Sequence, residues 1–119
     1  MSAPVLLSAD EETELFEMAN LFPATTGLPM TIWVSPRGHA RHDARVKVCR
    51  THGATMDIAD TAVVAIRPAP RLIAGELDRD DLQAVRIWIA LNAASLIEYW
   101  DGRIDTIQLA GQLRRLPVD

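Results

Sequence analysis

The sequence has 119 residues, of which 49% are hydrophobic and 24% are charged, so it is long enough for one folded domain and too short for two separate cores. This composition excludes a largely disordered chain, and the single cysteine excludes an internal disulfide. The net charge is −4, yet residues 37–52 carry five Lys+Arg against one Asp, a local balance of +4. A basic region in an acidic chain predicts an anionic partner at that region.

The beginning of the chain and its longest apolar stretch indicate where in the cell the protein is expected. The first residues include no basic region, and their apolar run is only three residues long, which is too short for a signal peptide. Asn92 and Ser95 interrupt the apolar stretch at residues 87–97, which falls short of a membrane span. We therefore expect a cytoplasmic protein without a membrane partner. No cofactor motif is present, so we expect no cofactor, and the oligomeric state stays open.

The first predicted element is an amphipathic helix at residues 9–20. Ser8 and Glu11 have the spacing of a capping box, in which each side chain bonds a free backbone N–H at the helix start. The acidic segment "DEETELFE" (10–17) follows, where the helix dipole favours anions. Pro23 is predicted to end the helix. Its apolar stripe consists of Leu15, Met18, Ala19 and Phe22.

Apolar alternation then predicts a small antiparallel sheet. Met30, Ile32 and Val34 would point to one side of a strand, and the segments that follow are short and adjacent, which favours a meander. Pro68 and Pro70 exclude a central strand, so that stretch is predicted to be a loop or an edge. The predicted meander covers residues 30–66 and contains three to four strands, with segments at 30–34, 45–50, 54–58 and 62–66.

Two helices are predicted to follow the sheet. Asp78 is a candidate N-cap for a helix at 79–101, and Gly102 stands where a C-cap glycine is favoured. A broad apolar face that includes Trp88 and Trp100 predicts that this long helix packs on the sheet. A short helix at 105–115 would end before Pro117, with Ile107, Leu109 or Ala110, Leu113 and Leu116 on its apolar side. The predicted fold is a single α+β domain, residues 1–119.

Two stretches of the chain resemble a family of small bacterial proteins of unknown function. These stretches are "MTIWVSPRGHARHDARVKV" (30–48) and "DLQAVRIWIALNAASLIEYWDGRID" (81–105), and the resemblance extends over residues 30–116. Family members combine a histidine-containing N-terminal hairpin with a helix that carries a Trp-Ile-x-Leu-Asn run and a Trp-Asp end. The resemblance implies an α+β fold and a bacterial origin. It also implies the toxin–antitoxin-like pairing that is suspected for some such genes.

The stretch "GHARHDARVKVCRTHG" (38–53) holds every histidine and the only cysteine, so it raises the question of a metal site. Thiolate and imidazole are the ligands that zinc prefers, and four of them would close a structural site. However, Cys49 and His52 are an odd number of residues apart, which places them on opposite sides of a strand. Zinc is therefore an alternative that we do not favour, with His39, His42, Cys49 and His52 as the candidate ligands.

Catalysis is the second interpretation of this stretch. His39 and His42 could act as base and acid in metal-independent cleavage of a phosphodiester, with a neighbouring arginine to stabilise the phosphorane. Cys49 would need a lowered pKa to act as a nucleophile. No phosphate loop, serine elbow or carboxylate cluster supports an enzyme. The sequence therefore leaves enzymatic activity uncertain and favours a protein that acts by binding.

Anion binding is the interpretation that we prefer from the sequence. A hairpin rich in arginine can contact several phosphates, and RNA or an acidic protein would be the partner. Trp33 is the only aromatic nearby, which is few for RNA stacking. The acidic segment 10–17 is oppositely charged, and whether it covers the hairpin stays open. The predicted anion-binding residues are Arg37, Arg41, Arg45, Lys47 and Arg50.

Overall fold

A computed structural model describes residues 19–117 of the chain. These residues form one antiparallel sheet with a long helix across one of its faces. The strands are β1 (Ala19–Leu21), β2 (Met30–Val34), β3 (Arg45–His52), β4 (Thr61–Ala65) and β5 (Arg71–Ala74). The helices are α1 (Pro23–Thr26), α2 (Arg79–Trp100) and α3 (Thr106–Gln112).

The sheet is a meander in which each strand pairs with the next one along the chain, in the order β1-β2-β3-β4-β5. The predicted α+β class and antiparallel pairing are thereby confirmed, but the sheet has five strands instead of three to four. It also extends beyond the predicted range of 30–66, because β1 and β5 are added at its two edges. β5 follows Pro68 and Pro70, and as an edge strand it needs backbone donors on one side only.

The predicted helix at 9–20 is wrong at its end. Residues 9–18 lie outside the described part of the chain, whereas residues 19 and 20 belong to β1. Ala19 and Leu21 are buried by pairing with β2, so the neighbouring strand overrides the local helical pattern. Phe22 is 43% exposed and therefore does not continue an apolar stripe. Pro23 begins α1 instead of ending a helix, as its fixed φ allows at a first helical position.

The predicted strand at 54–58 is also wrong, because these residues belong to the loop between β3 and β4. β3 continues to His52, and the register of the ladder pairs Cys49 with Thr61. The eight residues between the two strands are therefore used to connect them. Gly53 begins this connection with a φ of +107°, a backbone conformation that favours glycine.

The core lies between the sheet and α2, as the apolar face of the predicted helix indicated. One face of the sheet turns side chains such as Ile32, Val48 and Val64 toward the helix, and all three are fully buried. Trp88 lies near the middle of α2 and has no exposed surface. The helix residues in this core are Val85, Trp88, Ile89, Leu96, Tyr99 and Trp100.

The ends of α2 agree closely with the prediction of 79–101. Asp78 occupies the N-cap position, although its side chain makes no capping hydrogen bond. At the other end Gly102 has a φ of +75°, and its N–H donates to the Tyr99 carbonyl. The Arg103 N–H donates to the Glu98 carbonyl, which completes a Schellman motif.

α3 is shorter than the predicted helix at 105–115, and Asn92 explains why. The Arg114 N–H donates to Asn92 Oδ1 at 2.7 Å, and Asn92 Nδ2 donates to the Arg114 carbonyl at 3.0 Å. Both backbone groups are thereby satisfied outside a helix, so the chain leaves α3 in an extended conformation. Leu109 is fully buried as predicted, whereas Ile107 is 82% exposed and does not belong to the apolar side.

Candidate functional site

The basic stretch 37–52 does not form one surface. Arg37 and Arg41 lie in the loop that joins β2 to β3, whereas Arg50 and His52 lie at the far end of β3. A strand of eight residues is about 26 Å long, so the two groups stand at opposite ends of the sheet. The structure therefore divides the residues that the sequence predicted as one binding site.

The loop at residues 35–44 is held against the end of α2. The Arg37 N–H donates to the Trp100 carbonyl at 2.8 Å. The imidazole of His42 packs on the Trp100 indole with 5.5 Å between ring centroids, and its Nδ1 donates to the Asp43 carbonyl at 2.9 Å. His39 is exposed in the same loop. One of the two candidate catalytic histidines is thus fixed by packing, and the other faces solvent.

A second loop brings two further arginines to this end of the sheet. Residues 66–70 join β4 to β5, and the Ile66 N–H donates to the Ala44 carbonyl at 3.2 Å. The single N–H at Arg67 Nε is shared between the two oxygens of the Asp43 carboxylate, at 3.0 and 3.1 Å, and Nη2 donates to Oδ1 at 2.8 Å. Arg71 stands in register with Ala65, which itself pairs with Arg45. We call this surface the arginine end; it comprises Arg37, Arg41, Arg45, Arg67 and Arg71.

Arg67 and Arg71 were missed because they lie beyond the predicted hairpin at 37–52, in a later part of the sequence. The signal that could have found them is the number of strands between the two loops that contain arginine. In an antiparallel meander, alternate loops come to the same end of the sheet. The loop after β2 and the loop after β4 are therefore neighbours, whereas the wrongly predicted strand at 54–58 would have put these two loops at opposite ends of the sheet.

The Arg67 guanidinium lowers the pKa of Asp43 from its ordinary value of 3.8 to about 2, chiefly through its hydrogen bonds to the carboxylate. Because the folded pKa lies below the unfolded one, this stabilisation is complete above about pH 4 and is lost as the pH falls toward 2. We expect Arg67→Gln to raise the Asp43 pKa toward 3.8, measured by NMR of the side-chain carboxyl in an acid titration. Arg103→Gln, which removes a different arginine, should leave it near 2.

The other end of the sheet is acidic. Arg50 lies 3.7 Å from the Asp60 carboxylate, so its charge is largely compensated there. His52 Nε2 donates to Asp81 Oδ2 at 2.8 Å, which ties the end of β3 to the first turn of α2. Neither residue therefore belongs to the arginine end. Acidic residues of this end are Asp57, Asp60, Glu76, Asp78, Asp80 and Asp81.

The sheet face turned away from α2, here called the outer face, carries the remaining candidate residues. Arg45, Lys47 and Cys49 alternate along β3 with the core residues, so they point to this face. Lys47 Nζ lies 4.7 Å from the centroid of the Trp33 ring, a cation–π contact. Trp33 is 4% exposed and Cys49 is fully buried.

The four candidate zinc ligands do not come together. Cys49 lies on the outer face, and His52 reaches α2 on the other side of the sheet, as the odd spacing indicated. Within residues 19–117, no group of three or more His, Cys, Asp and Glu side chains is arranged to hold a metal ion.

A small cleft on the outer face contains two donors that are unsatisfied within residues 19–117. Trp33 Nε1 and Arg45 Nε are both buried, and neither has a hydrogen-bond partner among residues 19–117. The cleft is lined by Trp33, Val34, Ser35, Arg45 and Lys47, and its volume is about 10 Å³. This is the space of a single water molecule or one acceptor oxygen. Chemically, the cleft can accept one oxygen atom of an anion.

No known protein family, curated protein or solved structure matches this chain. In the described residues, no helix is both long and apolar enough to cross a membrane.

Proposed function

We propose that this protein acts by binding an anionic macromolecule at its arginine end. The observation that carries the proposal is the convergence of two hairpin loops, which place five arginines at one end of the sheet. Asp43 is the only acid in these two loops, and Arg67 compensates it. Arg37, Arg41, Arg45 and Arg71 form no ion pair within residues 19–117, and the first two are exposed in the loop.

The geometry favours contacts with phosphates or carboxylates over recognition of bases. Trp33 is buried beneath Lys47, so its ring does not offer a stacking platform. Arginine contacts to a phosphate backbone give affinity that depends on salt and little on sequence. The proposed partner is therefore RNA bound through its backbone. An acidic protein, as in the toxin–antitoxin-like pairing that the family resemblance implies, is the second candidate for the same charges.

The proposed setting is the cytoplasm, and the proposed activity is non-catalytic. His42 supports this because its ring is committed to Trp100 and to the Asp43 carbonyl, which holds it away from a free acid–base role at Nδ1. A metal-independent ribonuclease that uses His39 and His42 is the alternative. It predicts that either histidine is needed for cleavage while binding persists without them.

The test is a titration of the isotope-labelled protein with a mixed-sequence single-stranded RNA, followed by NMR at low and high salt. We expect shifts at the arginine end that high salt abolishes. Arg37→Ala combined with Arg41→Ala should weaken binding about tenfold at low salt and reduce the slope of log K against log salt by about 1.4, or about 0.7 per lost phosphate contact.

The matched control is Arg50→Ala combined with Arg79→Ala, which removes the same charge from the acidic end. It should change the affinity less than twofold if the arginine end is the binding surface. Equal losses in both double variants would show only a net-charge effect and would contradict the proposal. A parallel titration with an acidic polypeptide identifies the protein alternative, and a gel of the same RNA samples reports any cleavage.

A further inference from the structure

α3 carries the most exposed large apolar side chain within residues 19–117, because Ile107 is 82% exposed. Leu109, two residues later, is fully buried in the core, so α3 is docked on the domain and Ile107 is turned away from it. Gly111 follows Ile107 by four residues and therefore lies on the same outer side of the helix. This side of α3 combines a protruding apolar side chain with a position that has no side chain.

The glycine at position 111 has no structural reason within the described chain. Within a helix, glycine is less favourable than alanine, because its backbone loses more freedom on folding. Gly111 has an ordinary helical backbone, so no positive φ requires glycine there. Apart from its chain neighbours and the backbone of α3, no atom of residues 19–117 lies within 4 Å of a Cβ built at this position. The space beside Gly111 is therefore open to a side chain of another molecule.

The surface around this side of α3 is uncharged. Residues 87–97 of α2 and residues 106–113, which include α3, contain no Asp, Glu, Lys or Arg, although 24% of the chain is charged. Leu91 is 40% exposed, and together with Ala94 and Gln112 it lines a groove of about 390 Å³ between the two helices. A helix that faces water normally carries charges on that side. An exposed apolar surface of this kind is typical of a protein–protein interface.

The charges at the two ends of α3 make this surface complementary to a second copy of itself. Asp105 is the last charged residue before the helix, and Arg114 is the first one after it. Both are exposed, and neither forms an ion pair within residues 19–117. An antiparallel second α3 brings Asp105 of each copy level with Arg114 of the other. It also brings Ile107 level with Gly111, because both pairs are centred on the middle of the helix. A two-fold interface requires such self-complementarity.

We propose that two copies of this chain form a two-fold dimer through antiparallel α3 helices. Ile107 of each copy packs over Gly111 of the other, and Asp105 of each copy faces Arg114 of the other. The side chain that protrudes from one copy thereby fills the open space on its partner, and this happens twice in the same interface. The proposal does not rest on anion binding, because the interface includes none of the five residues of the arginine end.

The first test measures the association of the full chain by sedimentation equilibrium, in which a dimer has twice the 13.1 kDa of one chain. Gly111→Leu should raise the dissociation constant at least about tenfold, because the added side chain occupies the space of Ile107. Ile107→Ala should also raise it about tenfold, because the apolar contact is lost. The double variant should associate within about threefold of the wild type, since the leucine then fills the space that Ile107 leaves.

The second test mixes the two single variants, one of them labelled with heavy isotopes, and identifies the dimers by native mass spectrometry. We expect the mixed dimer to exceed both homodimers. In the mixed dimer the added leucine of one chain meets the alanine of the other, while the unmodified Ile107 meets the unmodified Gly111. This preference is specific to the antiparallel contact, because it requires residue 107 of one copy to face residue 111 of the other.

The matched control is Ile58→Ala, which shortens another exposed isoleucine, in the loop between β3 and β4. It should leave the dissociation constant unchanged, and circular dichroism verifies that every variant is folded. A wild-type chain that stays monomeric up to about 1 mM would overturn the proposal and leave this surface to a different protein. A dimer that none of the α3 variants weakens would overturn it as well, because the contact would then lie elsewhere.

Discussion

Trp88→Ala will lower the free energy of unfolding by about 3–5 kcal/mol, the cost of removing a large aromatic side chain from a packed core. Trp88 has no exposed surface and lies on the face of α2 that packs against the sheet. A cavity of this size cannot close easily, since strands β2 to β4 form a continuous wall beneath the helix. Urea denaturation followed by circular dichroism measures the loss.

The control for this prediction is the adjacent residue of the same helix. Ile87 is 50% exposed, so Ile87→Ala should cost less than about 1 kcal/mol. Trp88→Phe is informative as well, because it keeps an aromatic ring and removes an indole N–H that has no partner within residues 19–117. Its cost should fall well below that of Trp88→Ala. A cost under about 1 kcal/mol for Trp88→Ala would show that α2 is not packed on the sheet as described.

Gly27→Ala will be the second large effect, with an expected loss of about 2–4 kcal/mol. Gly27 has a φ of +81°, which costs any other residue about 1–2 kcal/mol. A Cβ at this position would also lie 2.5 Å from the Leu116 carbonyl oxygen. The extended C-terminal segment would have to move, and the hydrogen bond from the Leu116 N–H to the Thr26 carbonyl would be lost.

Gly102→Ala separates the cost of the positive φ from the cost of the clash with Leu116, which together make up the loss expected for Gly27→Ala. Gly102 has a similar φ of +75°, but no atom lies within 4 Å of a Cβ built there. The backbone conformation alone should therefore cost about 1–2 kcal/mol at Gly102. If the two alanine variants were equally stable in thermal denaturation, the contact between Gly27 and the C-terminal segment would not contribute to folding.

The parts of the fold that the sequence predicted well are those with long local patterns. α2 carries its apolar residues over six turns, and its end at Gly102 follows from one residue type. β1 could not be predicted in this way, because three residues are too few for an alternation to be recognised. Those residues form a strand because they pair with β2. Local patterns therefore identify elements that are long, and pairing determines the short ones.

At the arginine end, too, some residues were predicted from the sequence and others were identified only by the structure. The hairpin residues Arg37, Arg41 and Arg45 were identified from their density in the sequence. Arg50 was grouped with them, and only the full length of β3 reveals that it lies at the opposite end beside Asp60. Arg67 joins the surface through the β4–β5 loop, which only the three-dimensional register brings close. Composition predicted the charge, whereas the topology determined which charges share a surface.

Within residues 19–117, the loops at one end of β3 carry arginines and the loops at its other end carry carboxylates, so the charge of these loops is divided along the strands. Such a molecule rotates in the field of an approaching charged polymer before any contact is made. A polyanion would therefore meet the arginine end first, while the acidic end is repelled from it. The steering depends on ionic strength and acts over about 10 Å at 0.1 M salt. The alternating loops of a simple meander thus give the protein a preferred direction of approach.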